Sequence, residues 1–456
     1  MRWRAATILA SLLATTATAH AQTLSLADAL RRADQHAYAN RIGAAEADVA
    51  GAQSIAALRG ILPTVRMEAS FAKTNDPIGA FGTTLRQRTI TAPDFDPGRL
   101  NHPDAVTNYA GGAVIEQPLF NLDAHLGRQA AGRGADAATA LAEWTSIGTR
   151  LDVIRAYFGA VLAAEKAATL EAADRAARSH ALQAQRMVDA GIATRSDALL
   201  ALVKAGAVEV LLLEAQGEAA LARAQLATTL GVPGDTIFTL PATLPTAARI
   251  RDLLASQITA QTEQRADLAA ARHGSAAAHA DVRRALSLYV PRINAFGRYD
   301  WNSRAQLYGG AEAWSVGVLA SWTPFAGAHE LAERAASGGR KRAAEARLDA
   351  ARAQASLELS AAENACVVAL RRLEIAERAA AQSAEAHRIV THKYEGGLAT
   401  VAELLDAAAI ETQSALGLSA ARYQGIVADA ERRRAAGSDL SDIPSLLAPE
   451  IAGNIR

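Results

Sequence analysis

The sequence predicts a mainly α-helical fold with a small β part, in which one helix–strand–strand–helix–helix unit occurs twice. The chain of 456 residues is rich in alanine, and only 5% of its residues are aromatic, a composition that favours long helices packed closely together. Apolar residues recur at three- and four-residue steps over long stretches, which predicts coiled-coil hairpins. The duplication is visible in pairs of residues that lie 206 positions apart: Pro118 and Pro324, Gly191 and Gly397, and Gly231 and Gly437.

The first element is an N-terminal export signal. Residues 1–21 combine the positive charges of Arg2 and Arg4, a short apolar core and a small-x-small site from Ala19 to Ala21, which is typical of a secretory signal peptide. A short buried helix is the alternative for this stretch. We therefore expect an exported protein whose mature chain begins after the small-x-small site.

The mature chain divides into two structural repeats and a short tail. The first repeat is predicted to span residues 22–247 and the second residues 248–437, and a tail with little pattern follows over 438–456. Each repeat begins with a helical segment rich in alanine, leucine, arginine and glutamate, expected at 24–61 and at about 248–287. Both segments end before a proline, which cannot continue a helix.

Two short strands follow the first helix of each repeat, because apolar and polar residues alternate there with a period of two. The strands are predicted at four places: 64–73, 108–117, 292–301 and 314–323. The first repeat carries an insertion between its strands, from Lys73 to Asn108, which contains Asp-Pro, His-Pro and Pro-Gly steps. These are turn residues, so we expect the insertion to be an exposed loop.

Two further helices complete each repeat as a hairpin. The four helices are expected at 121–190, 195–230, 328–394 and 400–436. At ~1.5 Å per residue the longer helix of each pair reaches roughly 100 Å. Each pair is joined at a glycine, so the hairpin tips are predicted at 187–197 and 394–406.

Composition and residue types exclude several functions. Lys plus Arg and Asp plus Glu both number 47, and this balance gives no reason to expect a nucleic-acid partner. Cys366 is the single cysteine, which excludes an internal disulfide, and we expect it to be a small packed side chain. The histidines form no ligand cluster and no phosphate-binding glycine motif occurs, so we expect no metal, no cofactor and no enzymatic step.

The strands also indicate how the chain meets a membrane. No run of ~20 apolar residues follows the N-terminus, so no transmembrane helix is expected. Four strands cannot close a barrel alone, and an open sheet leaves unpaired backbone groups in lipid. Three chains together would supply a shared 12-stranded transmembrane β-barrel. Aromatic residues at the strand ends suit the interfacial girdle of such a barrel: Tyr109, Tyr299, Trp301, Trp314 and Trp322. The alternative is a small soluble sheet packed on helices.

Three features together make the chain resemble the outer membrane factor (TolC-like) family of bacterial efflux channels over residues 24–437. They are the duplicated element order, the sequence Gln-Pro-Leu-Phe at 117–120, and two glycine-threonine hairpin tips at matched positions. The resemblance implies a homotrimer with one barrel in outer-membrane lipid and an α-helical tunnel across the periplasm of a Gram-negative bacterium. It also implies a periplasmic adaptor protein and an energised inner-membrane pump as partners, with the channel as a passive exit duct.

The resemblance further implies a gate at the periplasmic end of the tunnel. Acidic residues of the second tip would line it, and the matching positions are Glu403 and Asp406. They stand three apart, so both lie on one helical face, and rings of carboxylates favour cations. Ser196 and Asp197 of the first tip would join the closing network. The alternatives are a helix-dipole role for Glu403 and an N-cap role for Ser196 and Asp197.

One family gate residue is replaced here. The arginine of the second tip would fall at Ala399, which cannot form an ion pair. Arg195 of the first tip is a candidate replacement, although the sequence does not fix the direction in which it points.

The tips themselves are the predicted contact with the adaptor. They present eight residues, including apolar side chains that need a partner: Gly191, Ile192, Ala193, Thr194, Gly397, Leu398, Ala399 and Thr400. The glycines permit positive φ at the turns. The alternative is packing of one tip on its neighbour.

Other functions fit the sequence less well than the efflux channel. A structural or adhesive coiled-coil protein of the envelope would share the helices, but it would need neither paired barrel strands nor matched tips. A periplasmic adaptor would have one hairpin flanked by β-rich segments. An exported enzyme would need a nucleophile, base and orienting group that the sequence does not bring together. The exported substrate and the pump class stay open.

Overall fold

The computed structural model describes residues 24–447, and the predicted signal peptide and the end of the tail lie outside them. The chain folds as two compact units. Of the described residues, the first unit comprises 24–40, Ile147–Thr259 and 361–447, and the second comprises Arg41–Ser146 and Ala260–Ser360.

Helices and strands follow one another in the predicted helix–strand–strand–helix–helix order, twice. The helices are α1 Leu26–His36, α2 Tyr38–Ala56, α3 Pro77–Arg86, α4 Pro97–Asn101, α5 Leu122–Asp189, α6 Arg195–Thr229, α7 Ala247–Ala255, α8 Ala266–Ser287, α9 His329–Glu395, α10 Val401–Ala436 and α11 Ile443–Leu447. The strands are β1 Thr64–Thr74, β2 Val106–Phe120, β3 Arg292–Ser303 and β4 Ala311–Ser321. Within residues 24–447, none of the helices combines the length and apolarity that a membrane span requires.

The first helical segment of each repeat is broken, where we expected one continuous helix at 24–61 and at 248–287. Between α1 and α2, Ala37 has an extended backbone (ψ 134°). Gly231 packs closely against this break, since a Cβ on it would lie 2.1 Å from the carbonyl oxygen of His36. The second segment breaks between α7 and α8, where Thr and Ile residues are weak helix formers.

The insertion between β1 and β2 is helical, which corrects the expected exposed loop. α3 begins at Pro77, and the side chain of Asp76 caps it by accepting a hydrogen bond from the Gly79 amide at 2.7 Å. Asp96 caps α4, whose first residue is Pro97, in the same way. The Asp-Pro steps that suggested turns are therefore the N-caps and first residues of helices, the positions where these residue types are favoured.

The four strands form one antiparallel sheet in the order β1-β2-β3-β4, so β1 and β4 are its edges. β2 extends to Phe120, past the expected end at 117, with a register shift between Pro118 and Phe120. β4 ends at Ser321, and the indole N–H of Trp322 donates to the Tyr289 carbonyl at 3.2 Å. The sheet belongs to the second unit.

The first unit has a core of large apolar side chains. Its fully buried members include Ile154, Leu226, Ile250, Ile426 and Ile443. The last of these lies on α11, so the described part of the tail, in which the sequence shows little pattern, contributes to the core. Cys366 is buried as expected; its thiol donates to the Ala428 carbonyl at 3.3 Å, and burial raises its pKa to about 11.

Candidate functional site

The first hairpin tip is a glycine turn followed by a capping box. α5 ends at Asp189, and Gly191 has φ +74°, a conformation that glycine adopts without steric cost. The Ile192 amide donates back to the Met187 carbonyl at 2.8 Å, which closes the end of the helix. Thr194 then caps α6, and Asp197 accepts from the Thr194 amide at 3.0 Å.

The second tip repeats this geometry. Gly397 also has φ +74°, and the Leu398 amide donates to the Lys393 carbonyl at 2.7 Å. Thr400 caps α10, and Glu403 accepts from the Thr400 amide at 2.7 Å and from its hydroxyl at 3.0 Å. Both turns are therefore fixed by hydrogen bonds within the chain.

The capping boxes give two of the predicted gate carboxylates a structural role. The N-cap of α6 is Thr194, and Asp197 is its N3 partner, which corrects the expectation that Ser196 and Asp197 form the cap. Ser196 contacts the Thr194 hydroxyl at 2.8 Å. Hydrogen bonds from the Thr400 amide and hydroxyl lower the pKa of Glu403, and those from the Thr194 hydroxyl and amide lower that of Asp197.

Glu403 and Asp406 both project into solvent from the first two turns of α10. The residues between them, Leu404 and Leu405, are buried, so the two carboxylates leave the helix on its exposed side. Asp406 lies 3.8 Å from the Lys204 ammonium of α6. An exposed pair of this kind contributes little stability, so the carboxylate of Asp406 is available to other charges.

Tyr394 is a tip residue whose role the sequence did not reveal. Its side chain is only 4% exposed, and its hydroxyl donates to Met187 Sδ at 3.0 Å. Burial raises its pKa, and the Asp197 carboxylate raises it further. A lone aromatic at an alanine-rich hairpin tip is the signal that could have identified it.

Apolar packing supports both tips from beneath and leaves their ends uncovered. A small core joins the two hairpins, and its buried members are Ala181, Ala184, Ala201, Ala205, Tyr394, Val401, Leu404 and Leu405. Ile192 is 72% exposed and Leu398 is 81% exposed. Ala399 packs on the small core, and within residues 24–447 Arg195 makes no ion pair.

The sheet has one apolar face. Its members alternate along each strand and are paired across the strands: Val65, Met67, Ala69 and Phe71 of β1; Ala113 and Ile115 of β2; Ala295, Tyr299 and Trp301 of β3; Trp314, Val316 and Val318 of β4. On the edge strands these side chains are largely exposed, with Trp314 at 73% and Val65 at 68%. An exposed apolar sheet face of this extent requires an apolar environment.

The opposite face of the sheet is charged. Arg66 lies 3.2 Å from Glu116 and 3.6 Å from Glu68, and Arg298 lies 2.8 Å from Asp300 and 3.8 Å from Glu68. These ion pairs link three strands. The two faces of the sheet thus differ sharply in polarity. In the part of the chain that the structure describes, no group of three His, Cys, Asp or Glu side chains could hold a metal ion.

Comparison with known proteins decides the family. A family model described as outer membrane efflux protein matches residues 41–232 and 258–438, well over half of the chain. The chain belongs to the outer membrane efflux protein family. The resemblance to the outer membrane factor (TolC-like) channels is thereby confirmed. As a member of this family, the protein is an efflux channel of the Gram-negative outer membrane that extends into the periplasm.

Solved structures share the fold of this family member. A membrane protein from Pseudomonas aeruginosa is 21% identical with a TM-score of 0.75, over 90% of this chain and 93% of that one. The outer membrane protein VceC from Vibrio cholerae is 20% identical with a TM-score of 0.73, over 91% and 96%. The MtrE outer membrane channel of Neisseria gonorrhoeae, described in its open state, is 18% identical with a TM-score of 0.71, over 91% and 89%. No curated protein sequence matches this chain significantly.

Proposed function

We propose that the protein is the exit duct of a tripartite efflux or secretion system. Three copies form one 12-stranded barrel in the outer membrane and one helical tunnel in the periplasm. A periplasmic adaptor binds the tunnel and connects it to an inner-membrane pump. The duct is passive and catalyses no reaction, because the pump supplies the energy.

The observation that carries this proposal is the sheet, whose faces differ in polarity and whose edges β1 and β4 are open in the single chain. Backbone N–H and C=O groups that are unpaired in lipid are strongly unfavourable. The edge strands β1 and β4 must therefore pair with the edge strands of other copies. The apolar face then contacts lipid, and the face with Arg66, Glu68 and Arg298 lines an aqueous lumen.

The hairpin tips supply the gate and the adaptor contact. Glu403 and Asp406 of three copies surround one axis at the periplasmic end and favour cations, with Ser196 and Asp197 nearby on the first tip. The exposed Ile192 and Leu398, with Gly191, Ala193, Thr194, Gly397, Ala399 and Thr400, form the surface for the adaptor. Such apolar ends are covered when a partner binds.

Single-channel recording in planar bilayers tests the gate. Glu403→Gln keeps a side chain that completes the capping box, and with Asp406→Asn it removes both charges from the proposed ring. We expect the ratio of cation to anion permeability to fall. Glu395→Gln, at the end of α9 in the same tip, is the matched control and leaves the ratio unchanged. An unaltered ratio in an intact trimer of the double variant would contradict the gate.

A protein that assembles without any conductance would contradict the duct as a whole. A filament with no membrane-embedded end would favour the alternative, a structural or adhesive coiled-coil protein of the envelope. Because both outcomes are visible in the unmodified protein, they are separate from the result for the gate variant.

A further inference from the structure

The inserted segment, residues 75–105, lies at the end of the sheet away from the long helices. It leaves β1 after Thr74 and returns to β2 at Val106, and these two residues are paired across the strands. The helices α3 and α4 fill the segment, and α3 packs on β2. The segment therefore starts and ends at one point of the sheet rim, and its helices fold back towards the strands.

The segment covers the end of the charged face that lies furthest from the long helices. Asn108 is paired with Ala72, which shares a face with Arg66, and the Asn108 side-chain amide donates to Asn302 Oδ1 at 2.9 Å. Gln87, directly after α3, donates to Asn108 Oδ1 at 2.9 Å. All three amide side chains are less than 10% exposed. Polar groups buried on this face show that the segment lies over it.

Anchors on two further strands hold the segment across the sheet. Arg304, just beyond β3, donates to Gln87 Oε1 at 3.1 Å and to Thr89 Oγ1 at 2.9 Å. Arg88 donates to the Glu312 carbonyl of β4 at 2.7 Å. Hydrogen bonds of arginine to carbonyl and amide oxygens are directional, so these contacts fix the position of the segment relative to β2, β3 and β4.

We propose that the inserted segment narrows the outer exit of the duct and sets the largest solute that can leave, with Gln87 and Arg304 as the residues that fix its position. This inference rests on the proposed function, because the charged face must line the lumen. Each of three copies would place one segment over the lumen at the rim furthest from the tunnel. The exit is then a size filter independent of the gate at the periplasmic tips.

Size-dependent labelling from outside intact cells tests the filter. Ser70 lies on the charged face, two residues beyond Glu68, and Ser70→Cys in a Cys366→Ala background provides a thiol in the lumen. In one variant, residues 75–105 are replaced by Asn-Gly, a turn that joins adjacent antiparallel strands. We expect a small maleimide to react at similar rates in both proteins, and a maleimide polymer of several kilodaltons to react severalfold faster in the shortened one.

A milder variant tests the same inference in case the shortened chain does not fold. Gln87→Ala with Arg304→Ala removes the contacts to β2 and β3 and keeps both the segment and its Arg88 contact to β4, and we expect this variant to admit the polymer severalfold faster than the parent. Arg86→Ala is the matched control, since it removes an exposed arginine from the last turn of α3. Leu307→Cys, in the turn between β3 and β4, reports on access outside the filter and reacts with the polymer in every variant.

Two results would overturn the inference, and they are distinguishable. If the polymer labels Ser70→Cys equally in the parent and in both variants, the segment does not restrict the exit. If Ser70→Cys reacts with a lipid-soluble maleimide and not with a small charged one, the charged face does not line a lumen. The second result would overturn the proposed function as well.

Discussion

Two carboxylates at the hairpin tips stabilise the local helix starts, independently of any role in a gate. Asp197 and Glu403 each accept the N-cap amide of the returning helix, and each lies in the first turn, where a negative charge is favoured by the helix dipole. Asp406 has no such role and is 70% exposed. A variant that removes Glu403 altogether therefore alters the tip as well as its charge, which is why glutamine is the informative replacement.

The lowered pKa of Glu403 predicts a pH dependence of the second tip. Because folding depresses the pKa below the ordinary value of 4.5, the stabilisation is complete above that value and is lost as pH falls through the depressed pKa. We expect amide exchange at residues 398–403, relative to unstructured peptide rates, to accelerate as pH falls below the ordinary value of 4.5. Glu403→Gln cannot titrate, and an equally steep acceleration in that variant would assign the effect to another group.

At the scale of elements, the sequence predicted the strands and long helices, which follow from periodicity. It missed the short helices and the helix break, which depend on individual contacts. Alternation placed β1, β3 and β4, while Gly111, Gly112 and Glu116 blur it in β2, whose predicted end was short by three residues. Apolar spacing placed the long helices to within a few residues.

The inserted helices were missed because Asp76 and Pro77 suit a turn as well as a helix start. The break at Ala37 is marked by no proline or glycine, and Gly231, which packs against it, is distant in the sequence. At the tips, the sequence analysis identified the glycines and acids but missed the two caps, although the spacing of Thr194 and Asp197, and of Thr400 and Glu403, is that of a capping box.

The two faces of the sheet give a matched prediction. Val316 lies near the middle of β4 on the apolar face, and Ala313 lies on the charged face, paired with Asp300 of β3. We expect Val316→Arg to cost about 2–4 kcal/mol in the bilayer, since arginine near its midplane is poorly solvated, and Ala313→Arg to be tolerated, since it faces a carboxylate. The measurement is the yield of assembled protein in outer-membrane fractions. Similar yields for the two variants would contradict the assignment of lipid to the apolar face.

At the scale of the whole molecule, one helix presents an apolar stripe that a single chain leaves exposed. The stripe runs along α6, and its members are Leu199, Val203, Val210 and Leu221. Their spacing places them within one face of the helix. An uncovered stripe of this length indicates contact with another copy of the chain, in keeping with the sheet edges that also require partners.

Val210→Lys tests the stripe. Burial of a valine in an interface contributes about 1.5–3 kcal/mol, and a buried, unpaired ammonium adds a further cost, so we expect the assembly to dissociate in detergent at concentrations where the parent is intact. Gln216→Lys, at an exposed position about 120° around α6 from Val210, adds the same charge and leaves the assembly unchanged. Dissociation of both variants, or of neither, would place the interface elsewhere.

The central claim is that three copies of this chain complete one outer-membrane duct. The native mass of the protein, extracted from outer-membrane fractions in mild detergent, tests it most directly. The account predicts a single species with the mass of three mature chains. A monomer, or a soluble species recovered without detergent, would leave the edges β1 and β4 unpaired in the membrane and would contradict it.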